Sequence, residues 1–315
     1  MAWTRHNNPN NKGINGKDIV VKYGKWAIVT GPTSGIGQSF AENLASRGMN
    51  LLLISRNEQK LQETASRIQQ QYPNVCIQYI IRDFAQEDTN FSPLLHAKLL
   101  DLTSSSKIGI LINAVGVVNT IPSVLHKTPK EDLEEMLFIN NYGTLQMTME
   151  VLPYMLRQKS GAIITVSSGS CIHPTPMLSV YSATKAFGHT LTRGLYDFFE
   201  SQQQYGCIDC LSLRPYYFVS NMIYRKHATF LVPFPDVIAT AALDVLGYEG
   251  DAAPYWAHYL GALLSKWTPH DPAESILHAM QRTRAQHLLK RNKQQKQTLD
   301  SSPLPVDTSK STSTQ

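Results

Sequence analysis

Short apolar runs alternate with longer amphipathic stretches from Trp26 onward. WAIVT (26–30), LLLIS (51–55), VCIQYII (75–81), IGILINAVG (108–116), AIITVSS (162–168) and IDCLSL (208–213) read as buried strands. Between them, Ile36 to Arg47 reads as a helix closed by Gly48 at its C-cap, and 57–71, about 130–158 and about 180–203 read as further helices. Buried strands alternating with helices predict βαβ units, hence a parallel sheet with helices on both faces. Right-handed crossovers make this a doubly wound α/β fold in a single domain.

That domain is expected over 23–270, preceded by a polar, Asn-rich extension at 1–22. A basic, helix-prone segment at 271–297 follows, and 298–315, rich in Ser, Thr and Pro, is expected to be disordered. The N-terminal stretch lacks the apolar core of a secretory signal, so secretion is not expected. The chain has no apolar run of the ~18 or more residues that a membrane-spanning helix needs.

Composition adds little until it is located. The 315 residues suit one large α/β domain with tails, and the 42% apolar content suits a soluble core. Much of the net charge of +5 sits in Arg282, Arg284, Lys290, Arg291, Lys293 and Lys296. This reads as a solvated basic tail, and no nucleic-acid partner is expected. Cys207 and Cys210 form a C-x-x-C pair, but within a strand they face opposite sides, and no second pair has metal spacing. With Cys76 and Cys171 they read as reduced thiols, and no metal site is expected.

The chemistry begins in TGPTSGIG at 30–37, between the first strand and the first helix. Gly31, Gly35 and Gly37 let backbone N–H groups approach a pyrophosphate, and the turn residues Thr33, Ser34 and Ile36 open the helix whose N-terminus faces those phosphates. The second strand ends in Ser55 and Arg56, where an NAD site usually has a carboxylate. Arg56 can pair with a 2′-phosphate, which favours NADP. Tyr181 and Lys185, in YSATK, lie four apart on one helix face, so the ammonium is expected to lower the phenol's pKa from its ordinary ~10. Ser168 stands thirteen residues earlier at a strand end.

These motifs together resemble the short-chain dehydrogenase/reductase family, whose turn is T-G-x-x-x-G-x-G and whose fold is Rossmann-type. The resemblance implies that Tyr181 donates a proton to a carbonyl, that Ser168 rather than Ser167 orients its oxygen, and that Lys185 also binds the nicotinamide ribose. The family's N-x-x-G-T pattern selects Asn140 over Asn141, through Gly143 and Thr144, as the residue that holds a water near the lysine. It further implies an adenine contact at Asp83 and a cofactor contact at Asn113, Ala114 and Gly116, where NAVG replaces N-N-A-G.

KYGKWAIVTG, ASRGMNLLLISRN, GAIITVSSGS, the Pro174–Pro176 segment and LRPYYFVSNM resemble a particular branch. It comprises the very-long-chain 3-oxoacyl-CoA reductases and related 17β-hydroxysteroid dehydrogenases, including the hydroxysteroid dehydrogenase-like proteins. The likeness covers roughly 20–270. In that branch Tyr216 replaces the glycine of the usual Pro-Gly turn, and Pro215 and Ser220 would line the nicotinamide. Met222, Ile223, Tyr224, Phe230, Leu231, Val232 and Phe234 would build an apolar pocket for a lipophilic substrate.

The expected activity is NADPH-dependent reduction of a 3-oxoacyl-CoA or a ketosteroid. The alternative is an inactive NADP-binding protein, since some hydroxysteroid dehydrogenase-like members lose activity with the tyrosine. The branch implies an endoplasmic-reticulum membrane location, although its N-terminal membrane helix and dilysine signal are not seen here, which leaves the cytoplasm as the alternative. PYWAHYLGALLSKW at 254–267 is aromatic and apolar enough to lie in a bilayer interface, or to act as a pocket lid or dimer contact. A homo-oligomer through the long helices is the family expectation.

Overall fold

The computed structural model describes residues 18–119, 121–219, 227–253, 255–258, 281–286 and 288–290. The chain enters through a short helix α1 (Asp18–Tyr23) and continues as β1 (Trp26–Thr30), α2 (Gly35–Ser46), β2 (Asn50–Ser55), α3 (Glu58–Gln71) and β3 (Ile77–Ile81). Next come α4 (Phe91–Ser105), β4 (Ile108–Asn113), α5 (Lys130–Leu137), a π-helical turn (Phe138–Tyr142), α6 (Gly143–Gln158) and β5 (Ser160–Val166). The described elements end with α7 (Ser179–Ser201), β6 (Cys207–Leu213), α8 (Pro235–Val245) and β7 (Asp251–Ala252).

The strands form one parallel sheet in the order β3-β2-β1-β4-β5-β6-β7. Both faces are covered, so the inner strands are continuously apolar rather than alternating. The period of two still sorts them. Ala27, Val29, Leu51, Leu53, Ile110 and Ile112 pack with α1, α2, α3 and α8, whereas Ile28, Leu52, Ile54, Leu111 and Ile163 pack with α4, α6 and α7. The strand order reverses between β1 and β4, so a crevice opens at the carboxyl ends of these strands, the usual ligand position in such sheets.

Several elements depart from the pattern-based expectation. The polar extension is shorter than 1–22, because α1 is part of the fold: Ile19 and Tyr23 are fully buried. Tyr23 Oη donates to Asp209 Oδ2 at 2.7 Å, and Lys22 Nζ lies 2.9 Å from the same oxygen. These contacts stabilise a carboxylate buried in β6. The helix α4, the helix α8 and the edge strand β7 were not predicted, and the long helix at 130–158 is broken by the π-helical turn. Cys207 and Cys210 do face opposite sides, one exposed and one buried. Among the described residues no cluster could hold a metal ion, and no helix is long and apolar enough to cross a membrane. Ser220, Met222, Ile223, Tyr224 and most of 254–267 lie outside the described residues.

Candidate active site

The strand ends feed two adjoining cavities. The first, about 400 Å³, runs along the glycine turn. Gly31 and Gly35 take left-handed backbone angles, φ +67° and +56°. Gly37 is required for a different reason: a Cβ there would stand 2.2 Å from the Gly31 carbonyl oxygen, so α2 can pack this close to β1 only without a side chain. Thr30 ties the two halves of the crevice. Its hydroxyl accepts from Ala114 N at 3.0 Å and Val115 N at 3.2 Å and donates to Ile112 O. The first turn of α2 carries no acidic residue, and the Ser34 hydroxyl makes no capping bond, so the positive helix end faces the cavity uncompensated.

Thr33, Ser34, Gly35 and Ile36 line this cavity with Gly31 and Gly37. Ser55, Arg56, Asp83, Ala114 and Gly116 also line it. Asn113 does not. It is 2% exposed, and its Nδ2 donates to Thr148 Oγ1 at 3.1 Å, which fastens β4 to α6, while its Oδ1 has no hydrogen-bond partner among the described residues. Sequence reading missed Lys60 and Arg82 in the lining. Lys60 stands on the first turn of α3, four residues after Arg56. Arg56 is exposed and lies 3.5 Å from Glu135 on α5.

The second cavity, about 180 Å³, is lined by Ser168, Tyr181, Lys185, Gly116 and Pro215 among others. Two serines line it: Ser167 Oγ donates to the Lys185 carbonyl at 2.7 Å, and the Ser168 hydroxyl stands beside the Tyr181 phenol. Asn140 sits on the π-helical turn, a distortion frequent at functional sites. Its amide clamps Val117 from both sides, accepting from Val117 N at 2.8 Å and donating to Val117 O at 2.9 Å. Gly116 then passes so near that a Cβ would stand 3.1 Å from Lys185 Nζ and 3.2 Å from Asn140 Oδ1.

The expected lowering of the Tyr181 pKa is not found. Burial pushes the phenol up to about 12, with the Ser168 hydroxyl opposing the rise. Lys185 Nζ donates to Val166 O at 2.9 Å and lies 5.8 Å from the Tyr181 ring centre, and burial brings its own pKa down to about 8. Desolvation, the larger effect on both groups, outweighs the helical spacing that suggested a charge-stabilised tyrosinate.

Tyr216 packs its ring over Gly169, where a Cβ would stand 2.7 Å from it, which explains how a tyrosine fits the Pro215 turn. The remaining wall includes Tyr217, Phe218, Gln281 and Arg284. The last two come from the segment that composition marked as a solvated basic tail. Gln281, Ala285 and Leu288 are buried and Arg284 is half-buried, one stripe at i, i+4, i+7 and i+3, whereas Arg282 and Lys290 are exposed.

A sequence profile described as short chain dehydrogenase matches residues 25–229. The human protein named inactive hydroxysteroid dehydrogenase-like protein 1 is 36% identical over 256 residues, covering 80% of this chain and 74% of that one. The human very-long-chain 3-oxoacyl-CoA reductase is 33% identical over 273 residues, covering 86% of this chain and 84% of that one. Among solved structures, one from a study of 7beta-hydroxysteroid dehydrogenase stereoselectivity superposes at TM-score 0.68 with 22% identity, covering 82% of this chain and 98% of the other. A short-chain dehydrogenase from Sphingobium yanoikuyae in complex with NADPH superposes at 0.61 with 24% identity, covering 77% and 94%. The glycine turn, the parallel sheet and the profile match agree, and the chain belongs to the short-chain dehydrogenase family.

Proposed function

We propose that this protein is an NADPH-dependent reductase of a lipophilic ketone, with Tyr181 as the proton donor. The observation that carries the reading is the continuity of the two cavities. Ile36, Ala114, Gly116 and Phe218 line both, so a dinucleotide laid along the glycine turn would end beside Ser168 and Tyr181.

The residues present fit such a group. The Gly31–Gly37 turn offers free N–H groups to a pyrophosphate, and Arg56 and Lys60 offer two cations to a 2′-phosphate. When bound, NADPH supplies the hydride. The chain supplies the rest. Tyr181, with its pKa near 12, is fully protonated at neutral pH, the state a proton donor needs in the reductive direction. The Ser168 hydroxyl donates to the substrate oxygen as negative charge develops on it. Lys185 contributes a positive charge beside the reacting groups, held by its hydrogen bond to Val166 O. Val166, Leu178 and Phe218 make the walls apolar, which favours a lipophilic substrate.

The best substrate candidates are a 3-oxoacyl-CoA and a ketosteroid, in line with the names of the two human relatives. Exposed Phe230, Leu231 and Trp256, with Phe230 and Trp256 stacked edge-to-face at 4.7 Å, support peripheral contact with a bilayer such as that of the endoplasmic reticulum. A second reading, an NADP-binding protein without turnover, draws on the relative named inactive. Against it stand Ser168, Tyr181 and Lys185, which line one cavity, and Asn140, which lies next to its lining residue Gly116. NADPH oxidation measured with a 3-oxoacyl-CoA series and a ketosteroid panel tests both. Turnover that falls at least about 100-fold in Tyr181→Phe supports the reductase. Full activity in that variant sinks the mechanism, and NADPH binding without turnover of any ketone favours the second reading.

A further inference from the structure

The catalytic cavity has more polar capacity than a lone ketone uses. A ketone oxygen engages Ser168 and Tyr181. Three other polar atoms of the lining residues, Ser170 Oγ, Tyr216 Oη and Gln281 Oε1, are buried and make no hydrogen bond among the described residues. Leaving such groups unpaired against hydrocarbon costs free energy, and a substrate that supplies partners recovers it. Gln281 is 2% exposed and held by Tyr217, to whose hydroxyl its Nε2 donates at 3.4 Å. Because that hydroxyl can serve either end of the amide, Gln281 can offer the cavity a donor or an acceptor. Arg284, one turn further along, adds a permanent cation to the same wall.

We propose, building on the reductase reading above, that the helical segment at 281–286 is a specificity element. Through Gln281 and Arg284, with Tyr216, it recognises a second, electron-rich acyl oxygen next to the reacting ketone. The ligand class is a 3-oxoacyl compound, whether thioester or carboxylate, in preference to a ketone set in plain hydrocarbon. Two further observations agree. The segment also lies past residue 229, where the match to the short chain dehydrogenase profile ends. The Arg284 charge also acts on the Tyr181 phenol, which places the guanidinium within electrostatic reach of the reacting atoms.

Product-type alcohols titrated into the full chain saturated with NADPH test this without turnover. The probes are 3-hydroxydecanoyl-CoA, the 3-hydroxydecanoyl thioester of N-acetylcysteamine, 3-hydroxydecanoate, and 2-nonanol, which keeps the alcohol and chain but lacks the acyl carbon. Calorimetry is expected to give each acyl ligand about tenfold tighter binding than 2-nonanol. That advantage is expected to shrink to about threefold or less in Arg284→Ala and in Gln281→Leu, and to survive in part in Arg284→Lys. Unchanged NADPH affinity verifies that each variant is folded, since neither residue lines the nucleotide cavity. The two smaller acyl ligands tell thioester from carboxylate.

An advantage absent from the wild-type chain overturns the proposal, as does one retained in both truncated variants. A preference confined to the CoA ligand overturns it too, because the carrier's phosphates would then be what is read. Failure of the reductase reading looks different: turnover is lost while the acyl preference in binding persists.

Discussion

Lys185 offers a sharp test because its burial sets a sign as well as a size. The ammonium is half-buried, with Val166 O as its hydrogen-bond acceptor at 2.9 Å, and its pKa falls from 10.5 to about 8. Between those values the unfolded chain holds a proton that the folded chain has released. Stability therefore rises with pH across that window, by at most ~1.4 kcal/mol per unit and about 3 kcal/mol in all. Tyr181 acts oppositely. Its folded pKa of about 12 exceeds the ordinary 10, so the folded state retains the proton and stability falls above about pH 10. Lys185→Met removes the half-buried charge but also strands the Val166 carbonyl, a cost of roughly 1–3 kcal/mol. At pH 7.5 these effects nearly cancel. At pH 10 only the cost remains, so the variant is clearly weaker than wild type. Urea unfolding at fixed pH from 7 to 10.5 measures the difference. The reasoning is refuted if the two stability curves run parallel within about 0.5 kcal/mol.

Ile19→Ala, by truncating a fully buried residue of α1, is expected to cost about 2–4 kcal/mol in urea unfolding; a negligible change would show that α1 lies outside the cooperative fold. Gly169→Ala brings a methyl group to 2.7 Å from the Tyr216 ring and should displace that wall. Steady-state kinetics should then show KM for the ketone up about tenfold, with NADPH affinity unchanged. Arg56→Ala should weaken NADPH about tenfold and leave NADH unaffected, as read by fluorescence titration. Glu135→Gln should tighten NADPH a few-fold, because Glu135, 3.5 Å away, competes for that guanidinium.

Which of these features the sequence discloses follows from how far apart the interacting residues stand. The strands and the glycine turn are legible because their constraint is local: every residue of β1 and β5 is buried, and the turn's spacing is set by one strand and one helix. The pairing of Tyr181 with Lys185 is local in the same way. The helix α4 is not legible, although it buries Phe91, Leu95, Leu99 and Leu102, because Leu94 and Leu100 stand exposed on its other side and blur the stripe. Whether α1 is structure or extension depends on Asp209, 186 residues from Tyr23. Asn113 matches the family pattern by type, but Thr148, 35 residues on, claims its side chain.

The same distinction separates chemistry from selectivity. A proton donor, its serine and its lysine need fixed positions on one strand end and one helix, so their spacing survives in the sequence and can be read there. Their acidities do not, since burial by the surrounding chain moved Tyr181 and Lys185 in directions that spacing alone gets wrong for the phenol. The wall opposite them is built by a contact between Tyr217 and Gln281, 64 residues apart, on a helix whose composition signals only charge. Averaging that composition over both faces hides what the inner face presents. On the proposed reading, changes at Gln281 and Arg284 would alter substrate preference and leave each of the motifs that identify the family intact.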